Sequence, residues 1–419
     1  MDDCYKIEDD MLEHLTTRPQ EPIMRLFSEY HQDRRKEKIN LALGIYTDEN
    51  GKPTILDVVK QAEYHRYRNE TSKASMSITG LADYHDAVRK ILFPAGHPLA
   101  HDERVRIIQT VGASGAIYLA LKLCYQDAPR RTVWLSDPTW QNYFEIVREA
   151  GLGQQSYGYC ACAAGTFSID LMMKDLATAM PGDVIILQGC CHNPTGLDPT
   201  ERQWRTLAEF FVEKRMIVLF DFAYQGFGEG LLADASGIHI FSETMNEFMV
   251  ASSFSKNLGL YNDRVGALTI VSANRNEAEI CEQAVKHLIR STYSMPPTHG
   301  SYLVSCIIQD DDRFALWNQE LRQMRRSIET RRSAMIDGLS SYNMLEMLAV
   351  NPNVSGMFLQ LKIDADKVKA LKERYGIYLL ESGRVGVASM KTEHIDKVCR
   401  AIGNVYSSSA DGRSASTGG

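Results

Sequence analysis

The middle of the chain alternates between two kinds of pattern. Short apolar, β-rich runs lie at 105–110, 132–136, 184–188, 216–221, 248–253 and 267–271. Between many of them, apolar residues recur at helical spacing, over 114–125, 140–150, 171–180 and 201–214. Strand-length runs separated by helix-length stretches predict an α/β layer with a mostly parallel central sheet flanked by helices. Ligands in such sheets bind beyond the carboxyl ends of the strands. The residues just after each run are therefore the ones to read for chemistry.

A long Arg- and Glu-rich helical stretch follows over 311–339, and then shorter α+β signals: a strand at 357–361 and helices at 366–375 and 394–406. The change of pattern predicts a large domain over 52–325 and a smaller α+β domain built from 1–51 with 326–406, joined within the long helix. Residues 407–419 are small and polar and predict a disordered tail.

Composition narrows the class. The chain has 419 residues, 44% hydrophobic and 24% charged, a globular balance that excludes collagen-like, disordered and coiled-coil proteins. Lys and Arg total 46 against 53 Asp and Glu, a net charge of −7, which opposes general nucleic-acid binding. Any anion must be held by a few placed arginines. The apolar runs fall far short of the roughly 18 residues of a membrane span. An acidic N-terminus without an apolar stretch predicts no secretory leader, and nine scattered cysteines suit reduced thiols. Together they predict a cytoplasmic protein.

The candidate chemistry sits after the strands. Residues 251–266, Ala-Ser-Ser-Phe-Ser-Lys-Asn-Leu-Gly-Leu-Tyr-Asn-Asp-Arg-Val-Gly, end a strand in hydroxyls (Ser252, Ser253, Ser255), followed by Lys256 and then Arg264. A charged lysine at a buried strand end is costly. It fits a lowered pKa or a Schiff base, unless it is a surface lysine after an edge strand. Hydroxyls with an arginine suit a phosphate dianion. Asp221 ends the run 216–221, where a carboxylate can hold a protonated ring nitrogen or cap a turn. Tyr224 is placed to bond a phenolic oxygen of such a ring. The turn Gly112-Ala113-Ser114-Gly115 opens a helix and offers free N–H groups to phosphate, though it is also ordinary turn chemistry. Trp140 follows another strand and can stack on a flat cofactor or pack as a lid.

Two motifs read negatively. Gly226, Gly228 and Gly230 lack the spacing of a dinucleotide fingerprint. Cys190-Cys191-His192 lacks the spacing of a zinc site, so no metal is expected. The following Asn193 carries more, because its amide can donate to a ring oxygen or a substrate carboxylate. Arg290 and Arg384 offer forks for carboxylates, or are solvated surface groups. A lysine, an aspartate, a tryptophan and a phosphate cradle at successive strand ends point to pyridoxal 5′-phosphate.

On these motifs the chain resembles the class I, fold-type I aminotransferases of the aspartate and aromatic amino acid group, from about Met11 to about Tyr406. Cys-Cys-His-Asn-Pro-Thr-Gly, Asp-Phe-Ala-Tyr-Gln-Gly-Phe and Ser-Phe-Ser-Lys-Asn-Leu-Gly-Leu-Tyr-Asn-Asp-Arg-Val-Gly carry the resemblance. It implies that Lys256 forms the aldimine with the cofactor and shuttles the substrate proton. Asp221 would keep the ring nitrogen protonated, Tyr224 and Asn193 would bond the ring oxygen, and Trp140 would stack on the ring. Ala113, Ser114, Ser253 and Arg264 would hold the phosphate. Arg384 would grip the substrate α-carboxylate, and Gly44 would lie at the substrate entrance. Arg290 would reach the neighbouring subunit's site and bind a distal carboxylate, which implies a homodimer with shared sites.

The chain departs from that pattern around the cofactor. Ser75 stands where the family has a tyrosine, Tyr143 and Gln188 stand where it has histidines, and Met295 replaces a small polar residue. The resemblance implies transfer of the amino group of an aromatic or dicarboxylic L-amino acid to 2-oxoglutarate by a ping-pong mechanism. The departures motivate an alternative on the same scaffold, a specialised biosynthetic enzyme performing β- or γ-replacement or carbon–carbon bond formation on a bulkier substrate. A third reading, a catalytically dead binding or structural homologue, is opposed by the intact Lys256, Asp221 and Arg384.

Overall fold

The protein is described by a computed structural model covering residues 21–74, 77–161, 165–351 and 354–410. Seven strands form the central sheet: β1 (Val105–Val111), β2 (Thr132–Asp137), β3 (Gly153–Gly158), β4 (Val184–Gln188), β5 (Ile217–Phe222), β6 (Phe248–Ser253) and β7 (Val265–Val271). Their order across the sheet is β1-β7-β6-β5-β4-β2-β3. β7 runs antiparallel to both β1 and β6, and the other pairs are parallel.

Alternation along each strand divides the core. In β5, Val218 and Phe220 join the core on one side and Leu219 the core on the other. β4 repeats this with Ile185 and Leu187 against Val184 and Ile186. The helix Gly112–Asp127 covers one face through Ala116, Ile117 and Ala120. The helix Glu201–Lys214, started by a Thr200/Gln203 capping box, covers the other through Trp204, Leu207 and Phe211. Burial on both faces is why these strands read as nearly continuous apolar runs. Each large apolar side chain so buried contributes about 2 kcal/mol of transfer free energy.

Where sequence and structure differ, local chemistry explains most of the difference. β3 has no apolar signature because Gly153-Gln-Gln-Ser is exposed at the sheet edge. The helix expected from residue 140 begins at Asn142, with Gln141 at its N-cap. The helix expected over 171–180 is Ile169–Leu176, with Ser168 as its N-cap. The last helix, Ile395–Ala410, runs past the expected start of a disordered tail, and the Ser407 hydroxyl donates to Gly403 O inside it. Residues 411–419 lie outside the described residues.

Beyond the sheet, Ile39–Asn40 pairs in parallel with Ile377–Tyr378, and Phe358–Gln360 pairs antiparallel with Arg384–Gly386. The first pairing places residues 39–40 beside residues 377–378. The helix Asp311–Ser341 touches both regions. Trp317 Nε1 donates to Asn257 O at 2.8 Å, beside the sheet. One turn after another further on, the fully buried Arg331 donates to Thr47 O and Ala388 O. Among the described residues, no helix is long and apolar enough to cross a membrane.

The turn from β1 into its helix lies directly against β7. A Cβ built on Gly266 would stand 2.4 Å from the Gly112 carbonyl carbon and 2.8 Å from Ala113 N. These are backbone atoms and cannot swing aside. Gly266→Ala should therefore cost about 2 kcal/mol in urea unfolding, in line with overpacked cores. Gly403→Ala, in a helix with only ordinary contacts to Tyr342 at 3.8 Å, should instead be neutral or stabilising.

Candidate active site

Sheet register assembles the site. Asp221 at the end of β5 pairs with Gln188 of β4 and Ala251 of β6. Gly266 of β7 pairs with Ser253, and Val265 with Val111 of β1. Because β7 is antiparallel, Arg264, just before it, meets the ends of the parallel strands. The result is a cavity of about 260 Å³ at one end of the sheet. Gly44, Ala113, Ser114, Trp140, Asn193, Asp221, Tyr224, Ser253, Lys256, Arg264 and Arg384 all line it. Arg290, also expected to bind substrate, does not line it, and neither do Tyr143 and Met295. Arg290 is exposed at the end of the helix Arg275–Thr292, where its guanidinium donates to Ser294 Oγ. Ser75 lies outside the described residues.

One end of the cavity is built for an anion. The helix Gly112–Asp127 starts there with no side-chain cap, so its first N–H groups point at the cavity with the positive end of its dipole. Gly112 has φ +68°, and a Cβ there would collide with the Arg264 guanidinium. Arg264 itself has φ +53°, and its carbonyl accepts from Gly112 N at 2.9 Å. Its Nη1 donates to Ser255 Oγ at 3.4 Å and Tyr261 O at 3.2 Å. Arg264 forms no ion pair among the described residues, so the hydroxyls of Ser114, Ser253 and Ser255, N–H groups and an arginine converge with charge to spare.

The opposite end holds a carboxylate. Asp221 is buried, and Tyr143 Oη donates to its Oδ2 at 2.5 Å. Its Oδ1 is buried without a hydrogen-bond partner among the described residues. Burial raises the Asp221 pKa, while the Tyr143 bond and the nearby Lys256 charge pull it down. Lys256 Nζ sits 4.5 Å from the centre of the Tyr224 ring. Burial lowers the Lys256 pKa to about 8; Asp221 opposes that shift, and Arg264 and Arg384 add to it. The lysine reads as a poised amine rather than a surface lysine.

Arg384 is buried with no carboxylate partner among the described residues. Its Nη1 donates to Asn193 Oδ1 at 3.1 Å and its Nη2 to Ala42 O at 2.7 Å, while its Nε has no partner. The guanidinium carbon lies 4.2 Å over the Phe358 ring. Gly44 makes room for that ring, since a Cβ there would lie 2.9 Å from Phe358 Cζ. Asn193 is itself clamped: Gln188 Oε1 accepts from its N–H at 2.7 Å and Gln188 Nε2 donates to its carbonyl at 3.0 Å.

Sequence reasoning missed Tyr261 and Phe358, which also line the cavity. Tyr261 lay within the 251–266 motif as a visible signal, whereas nothing local marked Phe358. The glycine-rich motif and the Cys-Cys-His motif meet at Asp234. The N–H groups of Gly226, Gly228, Glu229 and Gly230 all donate to the Asp234 carboxylate. Cys190, Cys191 and Asp234 bring potential ligand atoms within 4.8 Å of one another, but both Asp234 oxygens are committed to those N–H groups. His192 is held between Ser136 and Thr195, stacked on Tyr159, and burial lowers its pKa to about 3.

These donors fit pyridoxal phosphate. The lone Asp221 Oδ1 matches a protonated ring nitrogen, the Gly112–Ser114 turn with Arg264 matches a phosphate, and Lys256 supplies an amine for an aldehyde. The comparisons with known proteins agree. Residues 36–402 match the model of the family "Aminotransferase class I and II". The aspartate aminotransferase of Salmonella typhi is 39% identical over 392 residues, 94% of this chain and 99% of that protein. The aromatic-amino-acid aminotransferase of Pseudomonas aeruginosa is 34% identical over 387 residues, 92% of this chain and 97% of that one. A crystal structure of an aromatic-amino-acid aminotransferase from Burkholderia pseudomallei, covalently bound to pyridoxal phosphate, superposes with a TM-score of 0.89 at 33% identity, covering 95% of this chain and all of that one. The chain belongs to the class I and II aminotransferase family, and its fold is that of the fold-type I enzymes. It is a pyridoxal-phosphate-dependent transferase of the aspartate and aromatic group.

A lowered lysine pKa has a measurable sign. Only the neutral amine attacks an aldehyde, and the neutral fraction rises with pH through the folded-state value. The rate at which the apo protein takes up pyridoxal phosphate should therefore climb with pH around a midpoint of about 8. A midpoint near that of an ordinary exposed lysine would contradict the buried environment.

Proposed function

We propose that the protein transfers the amino group of an aromatic or dicarboxylic L-amino acid to 2-oxoglutarate. The observation that carries the reading is Arg384: a buried guanidinium without a counter-carboxylate, facing the same cavity as Lys256. Such a group is unfavourable unless a ligand anion completes it. Every α-amino acid and every 2-oxo acid carries that anion, so one site can serve both halves of a ping-pong exchange.

The remaining roles follow from position. Arg384 and Asn193 fix the α-carboxylate, which orients the Cα–H bond toward Lys256. Bound pyridoxal phosphate supplies the electron sink that lets Cα give up its proton. Lys256 Nζ takes that proton and returns it on the other side of the exchange. With pyridoxal phosphate bound, Asp221 would hold the proton on the ring nitrogen, Tyr224 and Asn193 would bond the ring oxygen, and Trp140 would cover the ring face. Ala113, Ser114, Ser253 and Arg264 would anchor the phosphate. Gly44 leaves the entrance open beside Phe358.

Side-chain selection involves two further features. A second cavity of about 570 Å³ shares Ile23, Trp140, Asn193 and Arg384 with the site, and Leu26, Val368 and Leu379 line it together with charged Arg25, Glu29, Lys369 and Glu381. Its volume beside Arg384 supports acceptance of a bulky side chain. For dicarboxylates, we infer that the protein is a homodimer in which Arg290 of a second copy supplies the distal cation. Its exposure, away from the cavity of its own chain, supports that reading. The long helix Asp311–Ser341, bonded to both regions, supports a division into 52–325 and 1–51 with 326–406. Among the described residues, Cys124, Cys190, Cys191 and Cys399 are buried thiols that form no disulfide, which is compatible with a cytoplasmic protein.

The two arginines should separate by kinetics. Arg384→Gln should raise KM for aromatic, dicarboxylic and oxo-acid substrates alike, by about tenfold to a hundredfold, the cost of a lost charged pair. Arg290→Ala should produce a similar loss for aspartate and glutamate only. Equal losses across both classes in Arg290→Ala would make that residue structural.

A further inference from the structure

The cofactor-facing carboxylate is governed by a residue that does not itself line the cavity. Tyr143 lies on the helix Asn142–Ala150, is 1% exposed, and commits its one proton to Asp221 Oδ2. That bond uses one carboxylate oxygen and leaves Oδ1 alone and unpartnered at the cavity wall. The same phenol ring meets Trp140 edge-on, with centroids 5.1 Å apart and planes at 84°. One side chain thus buttresses both the group at the end of the cofactor site and the group over its face.

The charges around Asp221 make this contact decisive. From the neighbouring strand β4, Gln188 is level with Asp221 but spends both ends of its amide on the Asn193 backbone. From the turn after β6, Lys256 contributes a positive charge only while protonated. From its own segment, Tyr224 is neutral, since burial pushes its hydroxyl well above the ordinary range. The Tyr143 phenol is pushed up in the same way, by burial first and by Asp221 second. Among the described residues, no imidazole bonds Asp221. His192 is neutral at working pH and occupied by Ser136 and Thr195. A phenol has one charge state over this range, whereas an imidazole would have two. A constant neutral donor favours the charged form of a buried carboxylate and does not switch with pH.

We propose that Tyr143 is a positioning residue that keeps Asp221 ionised and aimed, so that the ring nitrogen of bound pyridoxal phosphate stays protonated at every working pH. The proposal rests on the cofactor reading above. It assigns to this chain a cofactor environment on the Asp221 side that is insensitive to pH, so that pH acts on the enzyme through Lys256 and the substrate.

The test is spectroscopic. Pyridoxal phosphate labelled with ¹⁵N in the ring is bound to the wild-type holoenzyme, to Tyr143→Phe and to Tyr143→His. The ring-nitrogen shift is followed from about pH 5 to about pH 8, the range in which an imidazole titrates. The wild type should hold the protonated shift throughout. Tyr143→Phe should move toward the unprotonated shift and bind the cofactor about tenfold or more weakly, the effect of one lost hydrogen bond to a charged group. Tyr143→His should show an inflection that the wild type lacks. Should the phenylalanine variant not fold, the histidine variant decides alone. A flat, protonated profile in the variants with unchanged affinity would overturn the proposal and leave the cofactor reading intact. Failure of the wild type to bind pyridoxal phosphate at all would overturn both.

Discussion

A carboxylate buried at the end of a strand must find a positive partner or give up its charge. Asp221 is in that position, and so, with opposite sign, are Lys256 and Arg384. Among the described residues, none of these groups is neutralised by an ion pair of its own. Each is left with an atom or a charge unsatisfied: Oδ1 of Asp221, Nε of Arg384, and a lysine whose proton is loosely held. The fold stabilises a set of charges that only a ligand with matching charges completes. Such a ligand must be cationic at one point, anionic at two others, and carry a carbonyl for the amine. Pyridoxal phosphate with an α-amino acid or 2-oxo acid satisfies that description.

The sheet makes this arrangement possible at modest cost. Strands apolar on both faces bury large side chains against helices on each side, and their ends need no apolar residues. The antiparallel β7 is the device that adds an arginine to a crevice otherwise made of strand carboxyl ends. It works because Gly266 lets two backbones approach within distances that a Cβ would forbid, and Gly112 leaves room for the Arg264 guanidinium. The strained positive φ of Arg264 is held by the same contacts, with its carbonyl bonded to Gly112 N.

Much of this was legible in the sequence because strand ends are local features. Each apolar run ended where a polar residue began, and reading those residues gave Asp221, Ser253 and Lys256 directly. Asn193 and Trp140 followed from turn chemistry. β3 was not legible, because an exposed edge strand carries no apolar pattern. Phe358 was not legible either, since its role under Arg384 depends on a pairing between segments far apart in the chain. Tyr143 was visible only as a departure from a family pattern. Its bond to Asp221 spans a helix and a strand, and no spacing rule encodes it. The clamp of Gln188 on Asn193 was hidden for a different reason: the pair is close in sequence, but a glutamine at a strand end has many ordinary uses.

Lys256, Asp221 and Arg384 together make one site for amino transfer. A single-turnover assay tests this most directly. The holoenzyme is mixed with L-aspartate, L-glutamate or L-phenylalanine without any acceptor, and the oxo acid released is quantified. The account predicts one equivalent of oxo acid per active site from at least one of these donors, none from Lys256→Ala, and renewed turnover on adding 2-oxoglutarate. Release of a different product, or no oxo acid from any of the three, would contradict it.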